Sequence, residues 1–144
     1  MSPVQKKTLV SRIADEIWNQ GNLAVIDEVM SPEARYHGPH MPRGTGSRED
    51  WRRAIAMYRA AFPDSQVTFE EPFEGGDKVV GRWSATGTHQ GDLPGVPATG
   101  KRIAIRRITI YRLSEGRIVE AWEALDLLGM WQQLDVFRPP GGPH

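Results

Sequence analysis

The sequence predicts an α+β domain from its length and from the order of its hydrophobic patterns. Three stretches with helical spacing of apolar residues come first, and four long stretches with period-two alternation follow. Short turns of the antiparallel hairpin type join the predicted strands. The 144 residues have an ordinary composition and fit one compact domain with its own core.

Charge and composition exclude several classes of protein or make them unfavourable. The 18 basic and 18 acidic residues cancel and are interspersed, which gives no electrostatic reason to expect nucleic acid or an anionic membrane as a partner. The chain has no cysteine, so disulfides, thiolate metal sites and a cysteine nucleophile are excluded. The N-terminus lacks the apolar core of a signal peptide and no run could span a bilayer, so a cytoplasmic protein is expected.

The helices are predicted from apolar spacing and from capping residues. Gly21 is expected to end the first helix, and Asn22 to cap a short second one. Ser47 and Asp50 form an approximate capping box for the third helix, which Pro63 terminates. The apolar stripe of the first helix consists of Leu9, Ile13, Ile17 and Trp18.

The strands are predicted from alternation, which also assigns side chains to faces of the sheet. A turn at Gly75-Gly76-Asp77 joins the first two long strands, and the second of these is expected to turn Trp83 and His89 inward. In the last strand one face carries Ile118, Glu120, Trp122, Ala124 and Asp126. If Trp122 points inward, Asp126 is expected to point inward as well.

Asp126 therefore has two interpretations from the residues alone. A carboxyl group among Leu125, Leu127 and Leu128 would lose hydration, its pKa would rise, and it could hold or donate a proton near neutral pH. The alternative is that Asp126 caps the terminal helix by accepting a backbone hydrogen bond.

The chain from the first helix to Leu134 resembles the SnoaL-like polyketide cyclases, also called ester cyclases. The resemblance is carried by "FPDSQVTFE", "GDKVVGRWSATGTHQG", "GVPATGKRI" and "IYRLSEGRIVEAWEALDLLGMWQQL", in family order and spacing. It implies a cone-shaped α+β barrel, in which a curved antiparallel sheet, three N-terminal helices and a short C-terminal helix enclose an apolar pocket. Residues 1–138 would form this single domain, and residues 139–144 are expected to be a disordered tail.

The resemblance also implies a reaction and a catalytic residue. The cyclases close a ring of an aromatic polyketide ester by intramolecular aldol condensation, without metal or cofactor. An aspartate in the W-x-x-x-D position acts as the general acid and base, and in this chain that residue is Asp126. The neighbouring strand "RIAIRRITIYRL" departs from the polar pairing of the cyclases, so the substrate could differ.

Two histidines are further candidates, each with a structural alternative. His89 could polarise a carbonyl or orient the acid, and its alternative is a buried histidine with satisfied hydrogen bonds. His37 lies where the family often has a histidine, and Tyr36 or His40 nearby could line the pocket mouth. The spacing "HGPH" does not favour a metal site, because glycine and proline break any regular face and no carboxylate is close.

Aromatic and arginine residues complete the candidate set. Trp18, Trp83 and Trp122 could stack on a planar ligand, although ordinary core packing is the simpler interpretation for any one of them. Arg106 and Arg107 are most simply solvated, although one arginine turned inward could hold an enolate or a carboxylate.

Two classes of function remain open at the level of sequence. One is a cofactor-independent acid/base catalyst acting on a bulky apolar ketone or ester. The other is a non-catalytic ligand-binding or accessory protein, for example a hydroxylation partner, on the same scaffold. Apolar residues on both faces of the last strands predict a homodimer or homotetramer in either case.

Overall fold

The computed structural model describes residues 1–136 and contains four α-helices. The predicted disordered tail, residues 139–144, lies outside the described residues. No helix in the described part is long and apolar enough to cross a membrane. The helices are α1 (Pro3–Arg12), which continues as a π-helix (Ile13–Asn19), α2 (Val25–Val29), α3 (Arg48–Ala61) and α4 (Leu127–Gln133).

The helix ends follow the capping residues in most cases. Ser47 and Asp50 form the predicted capping box of α3, with both side chains bonded to backbone N–H groups. Gly21 adopts a left-handed φ of 72° just after the π-helix, as expected for a residue that ends a helix. The prediction for Asn22 is wrong, because α2 begins later, with Ala24 at its N-cap and no side-chain cap.

Six strands form one open, curved sheet in the order β2-β1-β6-β5-β4-β3, and the predicted α+β cone is confirmed. All neighbours pair antiparallel except β1 and β6, which run parallel. The short β2 was not predicted from the sequence. The strands are β1 (Met30–His37), β2 (Thr45–Ser47), β3 (Gln66–Gly75), β4 (Lys78–Thr88), β5 (Arg102–Ser114) and β6 (Arg117–Leu125).

The helices cover one face of the sheet, which we call the inner face. On β4 this face carries Val79 and Trp83, both buried, so the inward assignment for that strand is confirmed. Tyr111 of β5 and Ala121 of β6 are buried on the same face. The opposite, outer face carries more polar and exposed side chains, including half-exposed Ile108.

Candidate active site

A cavity lies between the inner face and the helices. Its empty volume is about 780 Å³, counted together with the open solvent at its mouth. Its wall is mainly aromatic and aliphatic, and the aromatic contributors are Trp18, Tyr36, Trp51, Tyr58, Phe62 and Trp83. A planar apolar ligand would therefore meet ring faces on several sides.

Two charged side chains interrupt this apolar wall. Arg107 of β5 donates a hydrogen bond from Nη1 to Oε1 of Glu123 on β6, at 2.8 Å. The Glu123 side chain is only 2% exposed and that of Arg107 is 14% exposed. An ion pair of this kind is strongly coupled, since removing one partner would leave the other charge buried without compensation.

The two tryptophans flank the arginine. The guanidinium carbon of Arg107 lies 4.6 Å from the ring centroid of Trp83 and 5.2 Å from that of Trp18, within cation–π range. Burial lowers the pKa of Arg107, but Glu123 and the nearby Tyr36 raise it, and the net direction is upward. Arg107 is therefore the inward-turned arginine that the sequence left unassigned, held charged by its partner.

The register of β6 explains why Glu123 faces the cavity. Tyr111 and Ala121 are paired across β5 and β6, and both are buried on the inner face. The register shifts between Arg112 and Leu113. Leu113 pairs with Ile118, and β6 contains one extra residue directly after Ile118, before its pairing with Arg112 resumes. Beyond this extra residue the alternation of β6 is reversed. Glu123 and Leu125 therefore lie on the inner face, and the residues that alternate with them lie on the outer face.

Asp126 does not line this cavity, although it lines a second, open pocket together with Trp83 and Arg107. Asp126 is exposed, and its carboxylate accepts a hydrogen bond at 2.9 Å from the backbone N–H of Gly129, as the N-cap of α4. Gly129 permits this contact, since a Cβ there would lie 2.2 Å from Oδ2 of Asp126. The capping interpretation of Asp126 is the one that the structure shows.

The other ligand-binding candidates divide between the two faces. Trp18, Tyr36 and Trp83 line the cavity. Trp122 and His37 do not, because they lie on the outer face and stack on each other with ring centroids 5.7 Å apart. Their expected place in the pocket is wrong, because the register shift puts Trp122 outside and His37, its partner on β1, alternates with inward Tyr36.

His37 instead belongs to an outer polar network. Its Nε2 lies 2.8 Å from Glu120 Oε2, and its Nδ1 lies 2.9 Å from the hydroxyl of Thr45. Glu120 also accepts a hydrogen bond from Arg112. These contacts join β1, β2, β5 and β6 on the side of the sheet that faces away from the cavity.

His89 is fully buried, but it lies behind the cavity wall. Its ring stacks on Phe62 at 5.4 Å, and Phe62 rather than His89 lines the cavity. The backbone N–H of Thr99 donates to His89 Nδ1 at 3.2 Å, and the Thr99 hydroxyl is 3.0 Å away. These contacts hold Nδ1 against the loop between β4 and β5, whereas the buried Nε2 has no hydrogen-bond partner among the described residues, so the interpretation of His89 as fully satisfied holds only for Nδ1.

Comparison with known proteins identifies the family. Residues 8–134 match the model of the SnoaL-like polyketide cyclase family, and the chain belongs to this family. It is 31% identical over 111 residues to the aklanonic acid methyl ester cyclase DauD of Streptomyces sp. strain C5. That match covers 76% of this chain and 66% of DauD, just under two thirds of its length.

Two solved structures show the same cone. IdmH from Streptomyces antibioticus, for which a polyketide cyclase activity has been suggested, superposes with a TM-score of 0.80 at 31% identity, over 92% of this chain and 99% of IdmH. AclR from Streptomyces galilaeus, for which a hydroxylase activity has been suggested, gives a TM-score of 0.83 at 26% identity, over 95% of this chain and 100% of AclR.

Proposed function

We propose that the protein closes a ring in a bulky polyketide ester by intramolecular aldol addition, with Glu123 as the general acid and base. The observation that carries the proposal is the Glu123 carboxylate, 2% exposed, in the wall of an apolar cavity. Membership of the polyketide cyclase family supports the reaction class. No cofactor is needed for the chemistry.

The reaction needs one proton to leave carbon and one to reach oxygen. Glu123 takes the proton from an activated methylene, and the resulting enolate carbon attacks a carbonyl carbon of the same molecule to form the new C–C bond. The alkoxide then takes the proton back from Glu123. One carboxyl group thus serves both steps, and catalysis of this type contributes about 10²–10⁴-fold.

Arg107 supplies the positive charge for the intermediate. It donates to one oxygen of Glu123 and keeps other N–H groups for a developing enolate oxygen. Stacking against Trp18 and Trp83 fixes the plane of the guanidinium, so little reorganisation is needed when the negative charge forms.

The charge balance of the cavity favours an ester over a free acid. Arg107 and Glu123 neutralise each other. Among the other lining residues only His40 could ionise near neutral pH, and its lowered pKa keeps it neutral. A free carboxylate on the ligand would therefore enter an apolar space with no unpaired cation to meet it. DauD, by its name, acts on a methyl ester, which agrees with this expectation.

Two alternatives are kept open for experiment. Asp126 stays the alternative catalytic carboxylate, although its position at the N-cap of α4 makes it the weaker candidate. The cone could instead bind a polyketide without converting it, or assist a hydroxylation, and the likeness to AclR favours the second of these over simple binding.

Mass spectrometry separates these functions. The protein is incubated in D₂O with an anthraquinone β-keto methyl ester that carries a side-chain ketone. Ring closure gives an isomer of unchanged formula, apart from deuterium exchanged for hydrogen. A hydroxylation would add one oxygen, and binding alone would leave the ester unconverted, so either result would contradict the proposal.

We also propose that the chain forms a homodimer through the outer face. On this face Ile108 is 50% exposed and Phe73 is 67% exposed, although neighbouring side chains are charged. Burial of these groups against a second copy would remove apolar surface from water. Sedimentation should give a dimer that Ile108→Glu dissociates, and a monomer at micromolar concentration would contradict this.

A further inference from the structure

A second polar group lines the cavity on a different wall from the ion pair. Tyr58 of α3 and His40 of the loop after β1 are both half-buried, and both line the cavity. The Tyr58 hydroxyl lies 2.8 Å from His40 Nδ1, and the two rings meet edge to face with centroids 4.6 Å apart. Tyr58 also stacks on Phe62, which holds the phenol in place.

The pair keeps one hydrogen-bond donor free in either tautomer of a neutral imidazole. If the Tyr58 hydroxyl donates to Nδ1, the ring proton is on Nε2 and is free. If Nδ1–H donates to the phenol oxygen, the phenol proton is free. Burial lowers the pKa of His40, with Glu123 acting in the opposite direction and Arg107 in the same direction, so the neutral form prevails at pH 7.

The loop that carries His40 also touches the ion pair. A Cβ at Gly38 would lie 3.1 Å from Oε2 of Glu123, so the backbone of this loop passes directly over the carboxylate. Residues 38–41 therefore connect the wall formed by α3 with the wall that carries Glu123. A ligand held against one wall of the cavity is within reach of the other.

We propose that Tyr58 and His40 form a carbonyl-binding subsite, which hydrogen-bonds a ligand oxygen other than the one at which the ring closes. The inference rests on the proposed function only in taking this cavity as the substrate site. It narrows the substrate class to flat polyketides that carry a carbonyl, such as a quinone oxygen, on the part of the ligand that lies against α3.

A matched pair of probes tests the subsite without turnover. Methyl anthraquinone-2-carboxylate and methyl anthracene-2-carboxylate have nearly the same outline, and only the first carries ring carbonyls. Binding is followed by quenching of tryptophan fluorescence. We expect wild type to prefer the quinone by about tenfold, the size of one buried hydrogen bond.

Variants then locate the origin of the preference. Tyr58→Phe and His40→Leu should each reduce it at least about threefold, and the double variant should abolish it while still binding the anthracene ester. His40→Gln, which keeps a donor, should retain part of it. Tyr111→Phe removes a phenol that does not line the cavity, and it should leave the preference unchanged.

The outcomes are distinguishable. A quinone preference that survives in the double variant, or no preference in wild type, would overturn the subsite and leave the proposed function standing. Failure of both probes to bind wild type would overturn both proposals. Thermal melting of each variant shows whether the fold is retained, and the preference is a ratio within one variant, so a general loss of stability does not imitate the effect.

Discussion

Glu123 and Asp126 are three residues apart at the end of one strand, and they lie in opposite environments. Glu123 is on the inner face, buried and paired with a stacked arginine. Asp126 is exposed, and it satisfies a backbone N–H at the start of α4. A carboxylate flanked by leucines is therefore not necessarily buried, and the register of the sheet decides which acid faces the cavity.

The largest expected effect comes from removing the inner carboxylate. Glu123→Ala should lower single-turnover rates by about 10²–10⁴-fold, because no other carboxylate lines the described cavity. It should also destabilise the fold by about 3–5 kcal/mol, since Arg107 is left buried without its partner. Added formate should restore part of the rate in Glu123→Ala. A loss of rate in Asp126→Ala that formate restores equally well would contradict the assignment of Glu123 as the catalytic carboxylate.

A smaller effect is expected from the arginine. Arg107→Lys keeps the charge but loses the planar stack on Trp18 and Trp83, and turnover should fall about tenfold. Arg106→Lys is the matched control, because Arg106 is the exposed neighbour on the outer face. Equal rates for the two lysine variants would show that the stacked guanidinium has no part in the reaction.

The outer carboxylate should affect stability instead of turnover. Asp126→Ala removes the N-cap of α4 and should cost about 1 kcal/mol, or about 2–4 °C in melting temperature. Gly129→Ala should cost a similar amount, because its Cβ displaces the Asp126 carboxylate. Calorimetry gives the melting temperatures, and unchanged melting in both variants would contradict the capping role.

The smallest effect concerns Glu120, the other carboxylate of β6. Hydrogen bonds from His37 and Arg112 hold the pKa of Glu120 below its ordinary value of 4.5. Its contribution to stability is therefore complete above that value and is lost as the pH falls through the lowered folded pKa. Glu120→Gln should lower stability by less than about 1 kcal/mol at pH 7.

The difference between wild type and Glu120→Gln should shrink in melting curves recorded at decreasing pH below 4.5. A constant difference down to pH 2 would contradict a stabilising role of the ionised Glu120 carboxylate.

The sequence predicted the fold more fully than the site. Helix caps at Ser47 and the hairpin turn at Gly76 are local signals, and the structure confirms both. The face of the sheet that each residue of β6 occupies cannot be predicted from the local sequence. Ile118 and Ala121 are both fully buried, although residues three apart in a regular strand lie on opposite faces. Only pairing with β5 reveals the extra residue between them, and a strict period of two puts Trp122 and Asp126 on the wrong face.

The inward position of Arg107 could have been predicted from the alternation of side chains in β5. Arg107 follows Ile103 and Ile105 at a spacing of two in β5 and precedes buried Tyr111 on the same face. An arginine within an apolar alternating set indicates a buried cation that needs a partner. The Tyr58 and His40 contact is different, since it joins a helix to a distant loop and depends on tertiary packing alone.

Single-turnover kinetics of Glu123→Gln beside Asp126→Asn distinguish the two carboxylates as catalysts, since each change replaces a carboxylate by a near-isosteric amide. On a polyketide ester that wild type converts, Glu123→Gln should lose about two to four orders of magnitude in rate. Asp126→Asn should react at the wild-type rate, because asparagine caps a helix as well as aspartate. A slow Asp126→Asn beside a fully active Glu123→Gln would contradict the account and return the catalytic role to Asp126.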